Sequence, residues 1–117
     1  MAEHLVLGRD GEDHAARLLE RAGLRVVDRN WRCPQGELDL VATRGDLVVF
    51  CEVKTRRSRS WGEPSEAVHP RKQARIRRLA GRWLAEHRGR GRTVRFDVVS
   101  VVQGEGRVDV AHIPDAF

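Results

Sequence analysis

The sequence predicts an α/β domain: a central mixed five-stranded sheet flanked by two main helices, in the order α-β-β-β-α-β-β. Three observations carry this reading. Two stretches repeat their apolar residues at helical period, and five short runs rich in valine alternate with turn residues. The length of 117 residues suits one domain spanning 1–117 and leaves no room for a second.

The first helix is predicted from Gly8 to Gly23, with Ala15, Leu18, Leu19 and Ala22 on one stripe and Gly23 just past the end. Leu24 to Asn30 reads as a strand centred on Val26 and Val27, and residues 31–36 as a turn. Strands over Glu37–Thr43 and Leu47–Thr55 follow, joined at Arg44-Gly45-Asp46, where Gly-Asp between apolar runs signals a hairpin. Arg56 to Val68 is a long polar loop containing Trp61, and long loops in small domains tend to serve function. Pro70 suits a first helical turn. Ile76, Leu79, Ala80, Trp83 and Leu84 then draw an apolar stripe to about His87, before the glycines at 89 and 91 break the helix. Val94–Val102 and Arg107–His112 are the last strands, with a turn at 103–106. Helices placed on both faces of such a sheet make a layered sandwich.

Composition narrows the function classes. Hydrophobic residues make up 40% and charged residues 33%, and no apolar run approaches the roughly 18 residues that span a bilayer, so no membrane partner is expected. The first residues lack the apolar core of a secretory signal, which points to the cytoplasm. Cys33 and Cys51 are too few for a disulfide framework and match no zinc spacing. The net charge is +5, and all the cations except Lys54 and Lys72 are arginine. Genome base composition can produce that bias. Arginine also forks onto phosphate, so the same bias suits a polyanion.

The chemistry concentrates in the hairpin. Residues two apart on a strand share a face, so Glu52 and Lys54 point one way, while Leu47, Val49, Cys51 and Val53 form the core face. With Gly45-Asp46 as a two-residue turn, Asp39 falls directly opposite Glu52. A three-residue turn would pair Asp39 with Cys51 instead. Like charges directly opposite are destabilising, so the pair needs a shifted pKa or a cation between its members. Lys54 supplies one positive charge, and a hard divalent ion fits two carboxylates better. The plainer alternative is an ion pair of Glu52 and Lys54 on a solvated face.

Asp39 with Glu52-Val53-Lys54 on the next strand resembles the D…(D/E)xK signature of restriction-endonuclease-like, PD-(D/E)xK, nucleases. The wider pattern is similar to the small bacterial YraN-type family. It comprises Gly8-x-x-Gly11-Glu12-x-x-Ala15, Arg29-Asn30, Gly36-Glu37-Leu38-Asp39-Leu40, Phe50-Cys51-Glu52-Val53-Lys54-Thr55-Arg56, Lys72 and Arg95-Phe96-Asp97. Leu38 stands where the broader signature has proline, and Cys51 where an aliphatic residue is commoner. The resemblance implies a restriction-endonuclease-like fold related to archaeal Holliday-junction resolvases. It implies catalysis by Asp39, Glu52, Lys54 and Glu12, with Mg²⁺ (or Mn²⁺) held by Asp39, Glu52, the Val53 carbonyl and Glu12. Lys54 would orient water or neutralise developing charge.

On the helical wheel Glu12 leans inward, within about 60° of the direction of Ala15, Leu19 and Ala22, and Gly8 shares that face; the resemblance to junction resolvases implies its metal role. A first-turn glutamate favoured by the helix dipole is the alternative. On the second helix, Arg71, Arg75, Arg78 and Arg82 form a basic stripe fit for a phosphate backbone or simply for water. Lys72 projects on the apolar side, either snorkelling or reaching the site. Arg56, Arg57 and Arg59 continue from the catalytic strand and are further phosphate contacts, with Trp61 a surface for base stacking. Glu37 either assists Asp39 or pairs with an arginine, Arg95 and Asp97 read as an internal ion pair, and the histidines carry no ligand spacing. The expected partner is nucleic acid, branched or otherwise structured DNA, with a homodimer suited to the symmetric cuts of a four-way junction. Three readings stay open: a Mg²⁺-dependent structure-selective DNA endonuclease, a non-catalytic nucleic-acid-binding protein on the same fold, and an adaptor for an acidic protein.

Overall fold

The computed structural model describes residues 2–57, 68–88 and 92–117, and side chains from Gly11 onward. Two helices and five strands run in the predicted order: α1 Ala2–Arg21, β1 Arg25–Cys33, β2 Gly36–Arg44, β3 Leu47–Arg57, α2 Pro70–Glu86, β4 Thr93–Gly104 and β5 Arg107–Ile113. The strands form one mixed sheet, β1-β2-β3-β4-β5, antiparallel except for the parallel β3–β4 pair. That parallel step needs a crossover between β3 and β4, which is where α2 sits. Among the described residues, no helix is long and apolar enough to cross a membrane.

Several boundaries differ from expectation. β1 runs on to Cys33, through residues 31–33 expected in a turn, because Trp31, Arg32 and Cys33 pair with Leu38, Glu37 and Gly36. The turn shrinks to Pro34-Gln35, with Gly36 at φ 145°. β3 extends to Arg57, held by its parallel ladder to β4 as far as Gln103, so the loop begins later than predicted. α1 begins at Ala2, which places Glu12 in mid-helix. The dipole of a helix start therefore does not account for that residue.

The hairpin closes as a two-residue turn, with Arg44 opposite Leu47, Ala42 opposite Val49 and Leu40 opposite Cys51. Gly45 takes φ 56°, which a Cβ would disfavour. Both faces of β3 are core, which corrects the expectation of a single core face. Val49 and Cys51 bury against α1 with Ala15, Ala16 and Leu19, and Val48 and Phe50 bury against α2 with Ile76, Leu79 and Trp83. A strand covered on both faces reads as a continuous apolar run, and Leu47 to Cys51 is one. Glu52 is thus a carboxylate set at the end of a buried strand segment, 8% exposed.

Candidate functional site

The β2–β3 register, extended one residue beyond Leu40–Cys51, puts Asp39 opposite Glu52 on the face that α2 covers. The backbone amide of Val53 donates to Asp39 Oδ2 at 2.9 Å, fixing one carboxylate oxygen. Burial and the adjacent Glu52, only partly offset by that amide, push the Asp39 carboxyl up to about 8. Glu52 meets the ammonium of Lys72, which reaches down from the first turn of α2. His69 caps this helix by accepting from the Arg71 amide at 3.1 Å, and Pro70 occupies its first position. A short start-of-helix geometry therefore aims Lys72 at the strand.

A pocket of about 380 Å³ opens over the pair, bounded by Glu37, Asp39, Glu52, Val53, Lys72 and Arg75. Its apolar floor comes from Ile76 and Leu79 of α2. Glu37 makes the arginine pair weighed for it, with Arg32 at 3.0 Å, and also lines the pocket.

Glu12 approaches from α1 on the other side of the sheet. Gly11 makes the approach possible, since a Cβ there would lie 2.3 Å from Thr55 Oγ1. The Glu12 carboxylate accepts from Asn30 Nδ2 at 2.8 Å, and Arg29 lies 3.9 Å from the same oxygen. Asn30 adopts φ 53° inside β1, between the Arg29–Leu40 and Trp31–Leu38 pairs, which sets it beside Asp39. Glu12 is near enough to add to the upward push on Asp39, though as the weakest contributor. Among the described residues, no three Asp, Glu, His or Cys side chains are gathered closely enough to hold a metal ion. The convergent carboxylates are two, Asp39 and Glu52, with Glu12 engaged by Asn30.

The remaining expected site residues are dispersed. Lys54 shares the Glu52 face by strand parity and is half-buried, but the cations bordering the pocket are Lys72 and Arg75. Arg56 is half-buried and Arg57 exposed at the end of β3, while Arg59 and Trp61 lie outside the described residues. Arg71, Arg75 and Arg78 are exposed on α2, and only Arg75 borders the carboxylate pocket. Cys51 is a buried core residue, its thiol raised first by burial and then by Asp97.

A second polar centre escaped the sequence reading in part. Asp97 is fully buried and accepts from Arg95 through Nε and a terminal nitrogen, both at 2.9 Å, as the expected ion pair. It also accepts from the Asp115 amide at 2.9 Å and lies 2.7 Å from His112 Nε2. Burial would raise this carboxyl, but the bonds from Arg95, Asp115 and His112 outweigh it and hold it below its ordinary value. The two-residue turn at Glu105-Gly106 pairs His112 with Val99, the same-face neighbour of Asp97. That register was available from the sequence and could have found the contact.

Comparison with known proteins gives a consistent picture. The model of "Uncharacterised protein family UPF0102" matches residues 11–101. The chain is similar to a UPF0102 protein of Frankia casuarinae, 57% identical over 112 residues and 95% of each chain. It is also similar to one of Rhodococcus opacus, 52% identical over the whole of both chains. A third, from Myxococcus xanthus, is 52% identical over 99% of this chain and 92% of its own.

Proposed function

The chain belongs to the UPF0102 family, of YraN type, and from its paired carboxylates we propose a nucleic-acid-binding protein that hydrolyses phosphodiester bonds with Mg²⁺ (or Mn²⁺). The observation that carries this reading is Asp39 beside Glu52 in a cationic pocket, one carboxyl pushed up to about 8 by burial and its neighbour. A structural ion pair does not place two carboxylates together; a site built to share a cation does.

The donor set fits a hard divalent ion. Mg²⁺ keeps several waters and takes one or two protein carboxylates, and a pocket of about 380 Å³ leaves room for them. Asp39 and Glu52 would hold it, with the Val53 carbonyl as a further oxygen donor and Glu12 engaged by Asn30. The chemistry such an ion supplies when bound is charge neutralisation and Lewis acidity at a phosphoryl oxygen.

The protein's own groups do the rest. The Val53 amide keeps Asp39 in one orientation. Lys72 offsets the Glu52 charge and, with Arg75, makes the pocket mouth attractive to phosphate. Lys54, next along the strand, is assigned the water-orienting role by the D…ExK pattern. Structured DNA is the proposed substrate, and two cuts across a four-way junction would call for a two-fold dimer.

The test is cleavage of labelled single-stranded, duplex, flap and four-way-junction DNA in Mg²⁺ and in Mn²⁺, with Asp39→Ala and Lys54→Ala beside the wild type. Metal-dependent cutting lost in both variants is expected. DNA binding without cutting by any preparation would leave a binding module on this fold and sink the catalytic reading.

A further inference from the structure

Beside the carboxylate pocket, a second cleft of about 480 Å³ runs along α2 between Gln35, Arg75, Arg78, Leu79 and Arg82. Arg75 and Leu79 border both cavities, so the two are adjacent. Gly36 lies at the junction, where a Cβ would touch Leu79 Cδ1 at 3.4 Å and Arg75 Cδ at 3.7 Å. We propose that this cleft binds the phosphate backbone of nucleic acid immediately beside the phosphodiester held at Asp39 and Glu52. The proposal rests on reading that pocket as a phosphodiester site.

Three features of the cleft favour an anion over bulk water. Among the described residues, Arg75 and Arg78 have no ion-pair partner, which they share with other exposed arginines, but these two line one cleft together. Two guanidinium groups on adjacent turns, both facing one concavity, are costly to leave together without a counter-charge. Gln35 contributes a directed donor. Its side-chain oxygen accepts from Arg82 at 2.6 Å and from Cys33 Sγ at 3.3 Å, which commits the amide NH₂ to the other side. Arg82 is held in turn by Glu86 at 2.9 Å, so it braces Gln35 while Glu86 matches its charge.

The dimensions agree with a nucleic-acid strand. From Arg75 to Arg82 the helix rises about 10 Å at 1.5 Å per residue. That equals about three base-pair rises of 3.4 Å measured along a duplex axis. The cleft's lining runs from Arg75, which it shares with the carboxylate pocket, to Arg82, so the backbone would continue from the pocket along this helix.

The experiment is fluorescence anisotropy of a labelled duplex and a labelled four-way junction in EDTA across a salt series. It compares wild type, Arg75→Ala/Arg78→Ala, and Arg17→Ala/Arg21→Ala on α1 as a control for net charge. Thermal melts confirm that each variant is folded. The α2 double variant is expected to bind more weakly and to lower the log–log salt slope by about 2, one per phosphate contact. The α1 pair should leave the slope unchanged. An unchanged slope in the α2 variant, with cutting intact in the wild type, would overturn the cleft and spare the nuclease reading. Absence of any nucleic-acid binding by the wild type would overturn both. Preference for a poly-glutamate peptide over duplex of equal charge would reassign the cleft to an acidic protein and overturn the proposal.

Discussion

Two aspartates stand on either side of β3, and the fold treats them in opposite ways. Asp97 on β4 is fully buried, and its two oxygens collect Arg95, His112 and the Asp115 amide. Its carboxyl is held below the ordinary value despite the burial. Asp39 on β2 receives one backbone amide and faces another carboxylate, and it is driven up to about 8. Burial acts in the same direction on both. The neighbours decide the sign, and the difference marks one as a clasp and the other as the candidate site.

The clasp should show the larger effect when broken. Asp97→Asn leaves Arg95 and His112 facing an amide, and removing one partner of a buried pair costs about 3–5 kcal/mol. Chemical denaturation at pH 7 would measure it. The pH dependence has a definite sign. A carboxyl lowered in the folded state contributes stability that is present above its unfolded value and lost as pH falls through the folded one. Wild type should therefore lose stability below about pH 4, and Asp97→Asn should lose less over that window. Equal acid sensitivity in the two would contradict the clasp.

At the other aspartate the signs reverse. Asp39 is raised, so its ionisation subtracts stability progressively from about pH 4 up to about 8. In EDTA, Asp39→Asn should melt above wild type, with the gap widening from pH 5 to pH 8. Each unit of upward shift that survives in solution is worth about 1.4 kcal/mol. Added Mg²⁺ or Mn²⁺ should close that gap by stabilising wild type alone, by about 2.7 kcal/mol at a hundredfold excess over Kd. A wild-type melt indifferent to both metals while Asp39→Asn is unchanged would remove the cation site from consideration.

Much of this contrast was legible in the chain. The Gly45-Asp46 turn sets a register in which Asp39 must meet Glu52, and side-chain alternation sets the face. Lys72 was readable as a polar residue at the start of an apolar helical stripe. What could not be read is the choice of cation. Lys54 and Lys72 are both available to Glu52, and only the docking of α2 on the sheet selects Lys72. Nor could the Asn30–Glu12 contact be read, because it depends on a non-glycine residue turning to φ 53° within a strand. The continuation of β1 through Trp31 to Cys33 was hidden for a related reason: pairing with β2 outweighed local turn signals.

The smallest expected effect sharpens the contrast most, because it should touch one centre and spare the other. Gly11 lets α1 pass against Thr55, and an added Cβ would stand 2.3 Å from Oγ1 and 3.0 Å from Cγ2. Gly11→Ala therefore forces the helix or the threonine to move, an overpacking cost of about 1–3 kcal/mol. The neighbouring residue on that helix is Glu12, so the displacement should also loosen its bond to Asn30 and change the charge felt by Asp39. Thr55→Ala alone removes the two closest atoms and should recover part of the loss in the double variant, a coupling that a double-mutant cycle reads directly. Asp97 draws its partners from β4, β5 and the residues after β5, and none of them lies on α1. The acid sensitivity of Gly11→Ala should match wild type while its metal-induced stabilisation falls. Loss of both together would mean that the two aspartates belong to one cooperative polar network, and that the division between clasp and site is wrong.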